Sequence, residues 1–233
     1  MKKAVILIPT YNEKGNISLI IPQIFSVVPE INIIVLDDNS PDKTADAVRN
    51  LMRTYPNLAV IVRPKKNGLG AAYLEGFRKV LENPEVGNII MMDADFQHDP
   101  KYLPTLLNEG QNYDLVFGSR YAKGGGVLKW PLKRRLLSLS SMSYYRILLG
   151  KGIKDWSSGF NCIKTDALRR MDLNTIQLSG HEFIIGLKYN LLSSGATFKE
   201  IPVLLPGRRE GESKVTMKSI IRGLMIPWKL WIK

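Results

Sequence analysis

Short apolar runs alternate with helix-like patterns along the first half of the chain, and this alternation limits the fold more than any other feature. The strand-like runs cover residues 4–8, 31–36, 58–62, 89–92 and 114–117. The helical patterns cover residues 16–28, 43–55, 69–82 and 101–109. Such alternation predicts an α/β fold with a mostly parallel sheet and helices on both faces.

The second half of the chain is less regular. We expect helices at residues 132–149, 165–171, 180–193 and from 216 onward, and strands at 161–164 and 198–204. No internal repeat or low-complexity linker interrupts the sequence. The pattern therefore predicts one domain over residues 1–215, followed by a terminal helix over residues 216–233.

Two carboxylates, Asp93 and Asp95, follow the fourth apolar run with one small residue between them. Residues i and i+2 of an extended backbone point to the same side, so both carboxylates can reach one hard cation such as Mg²⁺ or Mn²⁺. A solvated turn is the other interpretation of this pair. Its position favours a site, because open α/β sheets bind ligands at the carboxyl ends of their strands.

Polar segments also follow the first three strands. Residues 9–13 could contact a nucleotide base or form an ordinary strand-to-helix turn, and residues 37–40 could bind a ribose or cap the next helix. Gly68 and Gly70 open a helix whose N-terminus favours phosphate. The glycine patterns of dinucleotide-binding folds and of P-loops are both missing. Together the four strand ends predict a nucleotide diphosphate held by a divalent ion.

The net charge of +12 predicts an anionic partner. Residues 115–154 contain nine Lys or Arg and no acid, and residues 213–233 contain five more, again without an acid. A basic nucleic-acid-binding protein is one alternative, but the acidic strand ends would repel nucleic-acid phosphates and no nucleic-acid-binding motif is present. We therefore expect a phosphorylated substrate or a membrane surface, and no nucleic acid.

Segments 9–13, 37–42, 93–98 and 118–121 resemble the GT-A-fold glycosyltransferases of family 2. Within that family, segments 123–127, 130–134, 158–160 and 211–214 are similar to the dolichol-phosphate mannose synthases, or polyprenyl-phosphate mannosyltransferases. The resemblance covers nearly the whole chain. It implies a Rossmann-like GT-A domain that transfers mannose from GDP-mannose to the phosphate of a dolichyl or other polyprenyl phosphate, with inversion at the anomeric carbon. A UDP-sugar-dependent polyprenyl-phosphate glucosyltransferase and a binding module without turnover are the alternatives.

The resemblance also implies roles for individual residues. The nucleotide contacts would be Pro9, Tyr11, Glu13 and Asp38. The ligands of Mg²⁺ or Mn²⁺ and of the diphosphate would be Asp93, Asp95 and Gln97. The contacts of the acceptor phosphate would be Arg120, Arg134 and Ser138. The clamp on the donor would be Arg208 and Lys214, and the catalytic set would be Asp95, Arg120 and Arg134. These roles divide the domain into a nucleotide-binding half, about 1–118, and an acceptor half, about 119–215.

Two positions depart from the family pattern. Asn161 stands where the family often has Arg, and segment 183–186 (Phe-Ile-Ile-Gly) lacks the polar groups of the family's Phe-Gln-x-Glu. We therefore expect the contacts on the sugar to differ. His98 is expected to support the loop after the acidic pair instead of serving as a ligand.

The last helix is expected to lie in a membrane interface. Apolar residues, Trp228 and Trp231 among them, recur through residues 216–233 at three- and four-residue steps, opposite a basic face. A helix packed on the core is the alternative, and Pro227 is expected to kink or divide it. The helix at 132–149 could likewise pack on the sheet or line a lipid-side groove.

No run approaches the ~20 apolar residues that a transmembrane helix needs. A single cysteine, Cys162, indicates a reducing compartment. We therefore expect a peripheral protein on the cytoplasmic side of the membrane, with no spanning segment. The sequence does not decide whether the protein needs a small membrane partner protein.

Overall fold

A computed structural model describes residues 3–176, 180, 182–206 and 217–231, with the backbone alone described for residues 217–222. Its strands are β1 (Lys3–Thr10), β2 (Asn32–Asp37), β3 (Leu58–Val62), β4 (Val86–Met91), β5 (Leu115–Ser119), β6 (Gly126–Val127), β7 (Asn161–Lys164), β8 (Phe198–Pro202) and β9 (Leu204–Leu205). Its α-helices are α1 (Lys14–Val27), α2 (Thr44–Met52), α3 (Leu69–Leu81), α4 (Leu103–Glu109), α5 (Leu132–Leu149), α6 (Thr165–Arg169), α7 (Glu182–Ser193) and α8 (Met217–Trp231). Short 3₁₀ turns lie at Pro100–Tyr102 and Leu173–Thr175.

Seven of the strands form one mixed sheet in the order β3-β2-β1-β4-β7-β5-β8. The pairs β1–β2, β1–β4, β2–β3 and β5–β8 are parallel, and β7 runs antiparallel between β4 and β5. The mostly parallel α/β sheet predicted from the sequence is therefore confirmed. Because β1, β2, β4 and β5 run the same way, the polar segments that follow them lie at one edge of the sheet.

The sheet is buried on both faces because consecutive strand residues are apolar. Leu7 and Met91 join a core with α3, α5, α7 and α8, whereas Ile6, Ile8 and Ile90 join a second core with α1 and α4 on the other face. Side chains alternate between the faces of a strand, so an uninterrupted apolar run supplies both cores. This is the two-sided covering that the alternating pattern predicts.

The predicted strand at 198–204 is divided in two. β8 pairs with β5 in the main sheet, whereas β9 pairs with β6 in a separate two-stranded sheet. The backbone changes sheets at Val203, whose N–H donates to the Ser119 carbonyl and whose carbonyl accepts from the Gly126 N–H. A Cβ on Gly125 would lie 2.4 Å from the Ser119 carbonyl oxygen, so the glycine run at 124–126 is what permits this close approach.

The terminal helix α8 continues through Pro227, so of the two outcomes predicted for this proline the division of the helix is wrong. Its buried residues Ile226 and Leu230 belong to the core that α5 and α7 also line, and this packing supports the helix where proline removes a backbone hydrogen bond. Among the described residues, no helix combines the length and the apolar character needed to cross a bilayer.

Candidate active site

The carboxyl ends of β1 and β2 are tied together by Asp37. Its carboxylate accepts hydrogen bonds from the Thr10 hydroxyl at 2.9 Å and from the Ser40 hydroxyl at 2.6 Å, and also from the Ser40 N–H at 2.9 Å. Asp37 is fully buried. It therefore acts as a structural acceptor that fixes two strand ends, and it does not cap α2, whose N-cap residue is Lys43.

Asp38 lies beside Asp37 but has a different partner. Its carboxylate receives a hydrogen bond from Nη1 of Arg63, whose Nε donates to Glu75 at 2.9 Å. Burial raises the pKa of Asp38, and the Arg63 guanidinium opposes that rise. The repulsion between the two adjacent carboxylates is therefore offset, because Asp37 accepts from hydroxyl donors and Asp38 pairs with a buried arginine. Arg63, the first residue after β3, is a site residue that the sequence reasoning missed.

The other predicted nucleotide contacts lie at the end of β1. Pro9 is half-buried near the end of the strand, and Tyr11 is half-buried with the Lys66 ammonium 3.7 Å from its ring centroid. Glu13 accepts a hydrogen bond from the Asn16 amide at 2.7 Å. Asn16 itself lies inside α1 and does not cap it. These groups, with Asp38, form a polar corner at the β1 and β2 ends, beside the cleft described next.

An open cleft lies at the ends of β4 and β5, and it brings together residues of both predicted halves. Asp93 and Gln97 line it from the loop after β4, Arg120 lines it from the end of β5, and Leu69 and Ile184 add apolar surface. The acidic and basic segments, far apart in sequence, thus meet on one cavity. The sequence predicted both segments but could not show that they face each other.

Hydrogen bonds from backbone N–H groups to side chains of the same loop hold the acidic loop after β4 in place. The Asp93 N–H donates to Nδ1 of His98 at 2.8 Å, and the Gln97 N–H donates to Oδ1 of Asp95 at 3.1 Å. The His98 ring stacks on Phe160 with centroids 4.8 Å apart. His98 therefore supports the loop, as predicted.

The residues of this loop fit a divalent metal ion. Burial, followed by the charges of Asp93 and Asp95, raises the pKa of the buried Tyr73 hydroxyl well above its ordinary value. The side-chain nitrogen of Gln97 is buried without a hydrogen-bond partner among the described groups. Within the described ranges no cluster of three or more acidic, His or Cys side chains is present. The carboxylates of Asp93 and Asp95 and the amide oxygen of Gln97 are the types of oxygen donor that Mg²⁺ or Mn²⁺ takes together with substrate phosphates and water, whereas the unpartnered N–H of Gln97 suits a phosphate oxygen.

Arg120 is anchored by a buried carboxylate, Asp155. Its Nε and Nη2 donate to the two oxygens of Asp155 at 2.8 and 2.7 Å, its backbone N–H donates to the same carboxylate at 3.0 Å, and Nη2 also donates to Ser157. Asp155 is 0% exposed, and the Arg120 guanidinium keeps its pKa below the ordinary value against the effect of burial. This fork geometry fixes the guanidinium plane of Arg120, a residue that also lines the cleft.

Trp130 connects Arg120 to the second predicted arginine. The Arg134 guanidinium carbon lies 4.0 Å from the Trp130 ring centroid, and that of Arg120 lies 5.7 Å from the same ring. Ser138, on α5, shares a 2.7 Å hydrogen bond with the Tyr121 hydroxyl, and the Arg120 guanidinium lies 5.4 Å from the Tyr121 ring. Arg120, Arg134 and Ser138 are thus gathered around two aromatic rings, which the sequence reasoning had not assigned to the site.

The family is decided by comparison with known proteins. The family model described as glycosyl transferase family 2 matches residues 5–176. The chain belongs to glycosyltransferase family 2. The resemblance inferred from the sequence segments is confirmed.

Three known proteins are 35–37% identical to this chain over the matched residues. It is 37% identical to the undecaprenyl-phosphate mannosyltransferase of Micrococcus luteus over 90% of this chain and 86% of that protein. It is 36% identical to the polyprenol monophosphomannose synthase of Mycolicibacterium smegmatis, over 94% and 83% respectively. It is 35% identical to the dolichol-phosphate mannosyltransferase of Pyrococcus furiosus, over 98% of this chain and 63% of that protein.

Solved structures agree with the GT-A-type fold of family 2. A crystal structure of a mycobacterial protein matches with a TM-score of 0.70 at 16% identity, over 96% of this chain and 74% of that one. Glucosyl-3-phosphoglycerate synthase from Mycobacterium tuberculosis, in complex with Mn²⁺, UDP-glucose and phosphoglyceric acid, matches with a TM-score of 0.65 at 18% identity, over 98% and 80%. At such identities the likeness extends to the fold alone.

The two departures from the family 2 pattern have different positions. Asn161 is buried, and its amide donates to the Ser158 carbonyl at 3.2 Å, so it supports the loop beneath the cleft. Phe183 stacks on Tyr73 in the core, with centroids 6.1 Å apart, whereas Ile184 lines the cleft. An apolar side chain therefore occupies the wall where the family pattern has an amide. The predicted clamp residues Arg208 and Lys214 lie outside the described residues.

Two helices of this family 2 chain expose apolar side chains on one side of the molecule. On α5 the exposed set is Leu132, Leu136, Leu137, Leu139 and Ile147, and on α8 it is Leu224, Met225, Trp228 and Trp231. The opposite face of α5 is buried through Met142, Tyr145 and Leu149. The Tyr144 hydroxyl joins the helices, because it donates to the Leu224 carbonyl at 2.6 Å and accepts from Trp228 Nε1 at 3.1 Å. Each helix thus has buried residues that pack on the core and also exposes apolar side chains.

Proposed function

We propose that this chain transfers mannose from GDP-mannose to the phosphate of a polyprenyl phosphate of the dolichyl type, with inversion at the anomeric carbon. The observation that carries the proposal is the single cleft that Asp93 and Gln97 line on one side and Arg120 lines on the other. A departing diphosphate and an attacking phosphate are both anions, and each needs positive charge beside it. The three relatives named above, all mannosyltransferases or mannose synthases acting on polyprenyl-type phosphates, support this assignment.

The donor belongs to the nucleotide-binding half, about residues 1–118. The polar corner of Pro9, Tyr11, Glu13 and Asp38 would contact the nucleoside, and Asp93, Asp95 and Gln97 would hold Mg²⁺ or Mn²⁺ against the diphosphate. A bound divalent ion would supply positive charge that stabilises the diphosphate as it departs. Arg208 and Lys214 would close on the donor.

The acceptor belongs to the half that follows, about residues 119–215. A phosphate monoester has its second pKa near ~6 and is largely dianionic at neutral pH. It needs no general base to become a nucleophile, in contrast to a hydroxyl acceptor. Arg120 and Arg134 would bind and aim this dianion, and Ser138 would donate a hydrogen bond to it. A phosphate oxygen then forms the new bond to the anomeric carbon while the bond to the diphosphate oxygen breaks, so GDP leaves from the opposite face.

The lipid chain of the acceptor requires contact with a membrane. We infer that the exposed apolar faces of α5 and α8 lie in the interface of the cytoplasmic leaflet, with residues 216–233 as the amphipathic element. Trp228 and Trp231 are typical of such a position, and each Lys or Arg near an anionic surface contributes about 1 kcal/mol. Arg134 lies on the same helix, α5, so the acceptor phosphate would reach it at the membrane surface.

A donor and acceptor screen tests the proposal. Purified protein is incubated with labelled GDP-mannose, UDP-glucose or UDP-galactose, together with a short polyprenyl phosphate or the matching polyprenol without phosphate. Label is expected in the lipid fraction with GDP-mannose and the phosphorylated lipid alone. Transfer from UDP-glucose in preference would establish the glucosyltransferase alternative, and transfer to the free polyprenol would contradict the mechanism. Activity of the pure chain would also show that no partner protein is required.

A further inference from the structure

Lys188 is a buried cation that the mechanism above does not use. It lies on α7 and is 1% exposed, and its ammonium donates to the backbone carbonyl of Asp155 at 3.0 Å. On another side the ammonium lies 3.6 Å from the ring centroid of Phe117, a strand residue of β5. An isolated ammonium is among the most costly groups to bury, and these two contacts replace only part of its hydration.

The carbonyl that Lys188 contacts belongs to the residue that anchors Arg120. Asp155 therefore stands between two cations, with its carboxylate on the Arg120 guanidinium and its carbonyl on the Lys188 ammonium. The two cations come from different elements: Lys188 lies on α7, and Arg120 follows β5 directly.

Three charged groups face Lys188 from the elements packed around it. Asp155 and Glu200 raise its pKa and Arg120 lowers it, but burial is the largest effect and brings the pKa to about 7. Glu200 lies on β8, and one of its carboxylate oxygens is buried without a hydrogen-bond partner among the described groups. The charge of Lys188 therefore changes near neutral pH, close to the arginine that faces the cleft.

We propose that Lys188 is a positioning residue of the acceptor site, which holds Asp155 and thereby Arg120 in place and adds its own positive charge behind the acceptor phosphate. The proposal rests on the function proposed above, because it takes Arg120 as a contact of that phosphate. If this position served only the stability of the fold, an apolar side chain would stabilise it as well or better, since replacing buried ionic groups by apolar side chains is often neutral or stabilising. The expected consequence is that affinity for the lipid phosphate falls as pH rises through about 7.

The test is a calorimetric titration of the protein with a fifteen-carbon polyprenyl phosphate between pH 6.5 and 8.5. Affinity of the wild type is expected to fall about fivefold over this range, the order of one Coulomb interaction between partly buried charges. Ionisation of the ligand phosphate, with its pKa near ~6, would change affinity in the opposite direction. The direction in which affinity changes with pH therefore distinguishes titration of Lys188 from ionisation of the ligand phosphate.

Three variants complete the titration. Lys188→Met keeps the length of the side chain without its charge, so it should bind about fivefold more weakly at pH 6.5 and show no fall with pH. Glu200→Gln removes a charge that raises the Lys188 pKa, so the fall should move to lower pH. Lys199→Met is the matched control, because Lys199 lies on β8 and pairs with Glu109 at 2.8 Å, away from Asp155. It should bind as the wild type does.

The experiment distinguishes failure of the inference about Lys188 from failure of the proposed mannosyltransferase function. Wild-type affinity and pH dependence in Lys188→Met would overturn the inference, and if that variant did not fold, an unshifted profile in Glu200→Gln would overturn it. Mannose transfer by the wild type is measured in parallel. Absence of transfer with pH-dependent binding would refute the proposed function and leave the inference standing, whereas absence of both would refute both.

Discussion

Removing the buried charge of Lys188 is expected to change how the stability of the protein depends on pH. Burial brings the pKa of this ammonium from its ordinary 10.5 to about 7 in the folded chain. Between these two values the unfolded chain binds a proton that the folded chain does not. The free energy of unfolding therefore rises with pH in this window, by up to about 1.4 kcal/mol per pH unit.

The magnitude follows from the two pKa values. At pH 7 the folded ammonium is about half deprotonated, so the gain from pH 7 to pH 9 is about 2 kcal/mol. Lys188→Met lacks this contribution, and it also loses the hydrogen bond to the Asp155 carbonyl, which costs on the order of 1 kcal/mol at every pH. The variant is thus expected to be the more stable protein at pH 6 and to lose most of this advantage by pH 9.

Urea denaturation followed by circular dichroism at pH 6, 7, 8 and 9 measures this difference. The quantity of interest is the difference in unfolding free energy between the variant and the wild type at each pH, because it cancels the titration of all other groups. Lys199→Met serves as the control, with a difference that stays constant across the series. Parallel stability curves for Lys188→Met and the wild type would refute the assignment of a depressed pKa to Lys188.

Three further predictions concern the proposed site and surface. Asp95→Ala should abolish metal-dependent transfer and weaken Mn²⁺ binding in a titration while leaving the thermal melting curve unchanged, and full activity in excess EDTA would contradict the metal assignment. Arg134→Ala should weaken binding of the lipid phosphate by about tenfold or more, the worth of a charge-assisted hydrogen bond, but leave GDP binding unchanged, whereas equal loss of both affinities would place Arg134 on the donor side. The double change Leu136→Ser and Trp231→Ser should lower sedimentation with anionic liposomes at least tenfold, while Leu19→Ser, an exposed leucine on α1, should not.

The fold was predictable from the sequence wherever the pattern was long and regular. The strand predicted at 58–62 has those first and last residues in the structure, and the helix predicted at 69–82 begins at the predicted residue and ends at Leu81. The second sheet was not predictable, since β6 and β9 are two residues each and form because the glycine run at 124–126 permits a close backbone approach. The course of α8 through Pro227 was also missed, because tertiary packing of Ile226 and Leu230 outweighs the local effect of proline.

The candidate site was predictable in its chemical types but not in its pairings. The sequence identified Asp93, Gln97 and Arg120 separately, and the fold brings them to one cleft. It could not show that Asp155 accepts hydrogen bonds from Nε, Nη2 and the backbone N–H of Arg120. One signal was available, however, because Asp155 is the first acid after a long basic segment, and a carboxylate there is well placed to be buried with an arginine. No local pattern marks Lys188, whose burial depends entirely on the packing of α7 on the sheet.

The configuration of the product tests the central claim most directly. Wild-type protein is given GDP-mannose labelled with ¹³C at the anomeric carbon and a short polyprenyl phosphate, and the product is examined by NMR. One displacement by the acceptor phosphate predicts a mannosyl group bonded to the lipid phosphate, with the anomeric configuration opposite to that of the donor. A product that retains the donor configuration, or free mannose as the sole product, would contradict direct attack by a phosphate held at Arg120 and Arg134.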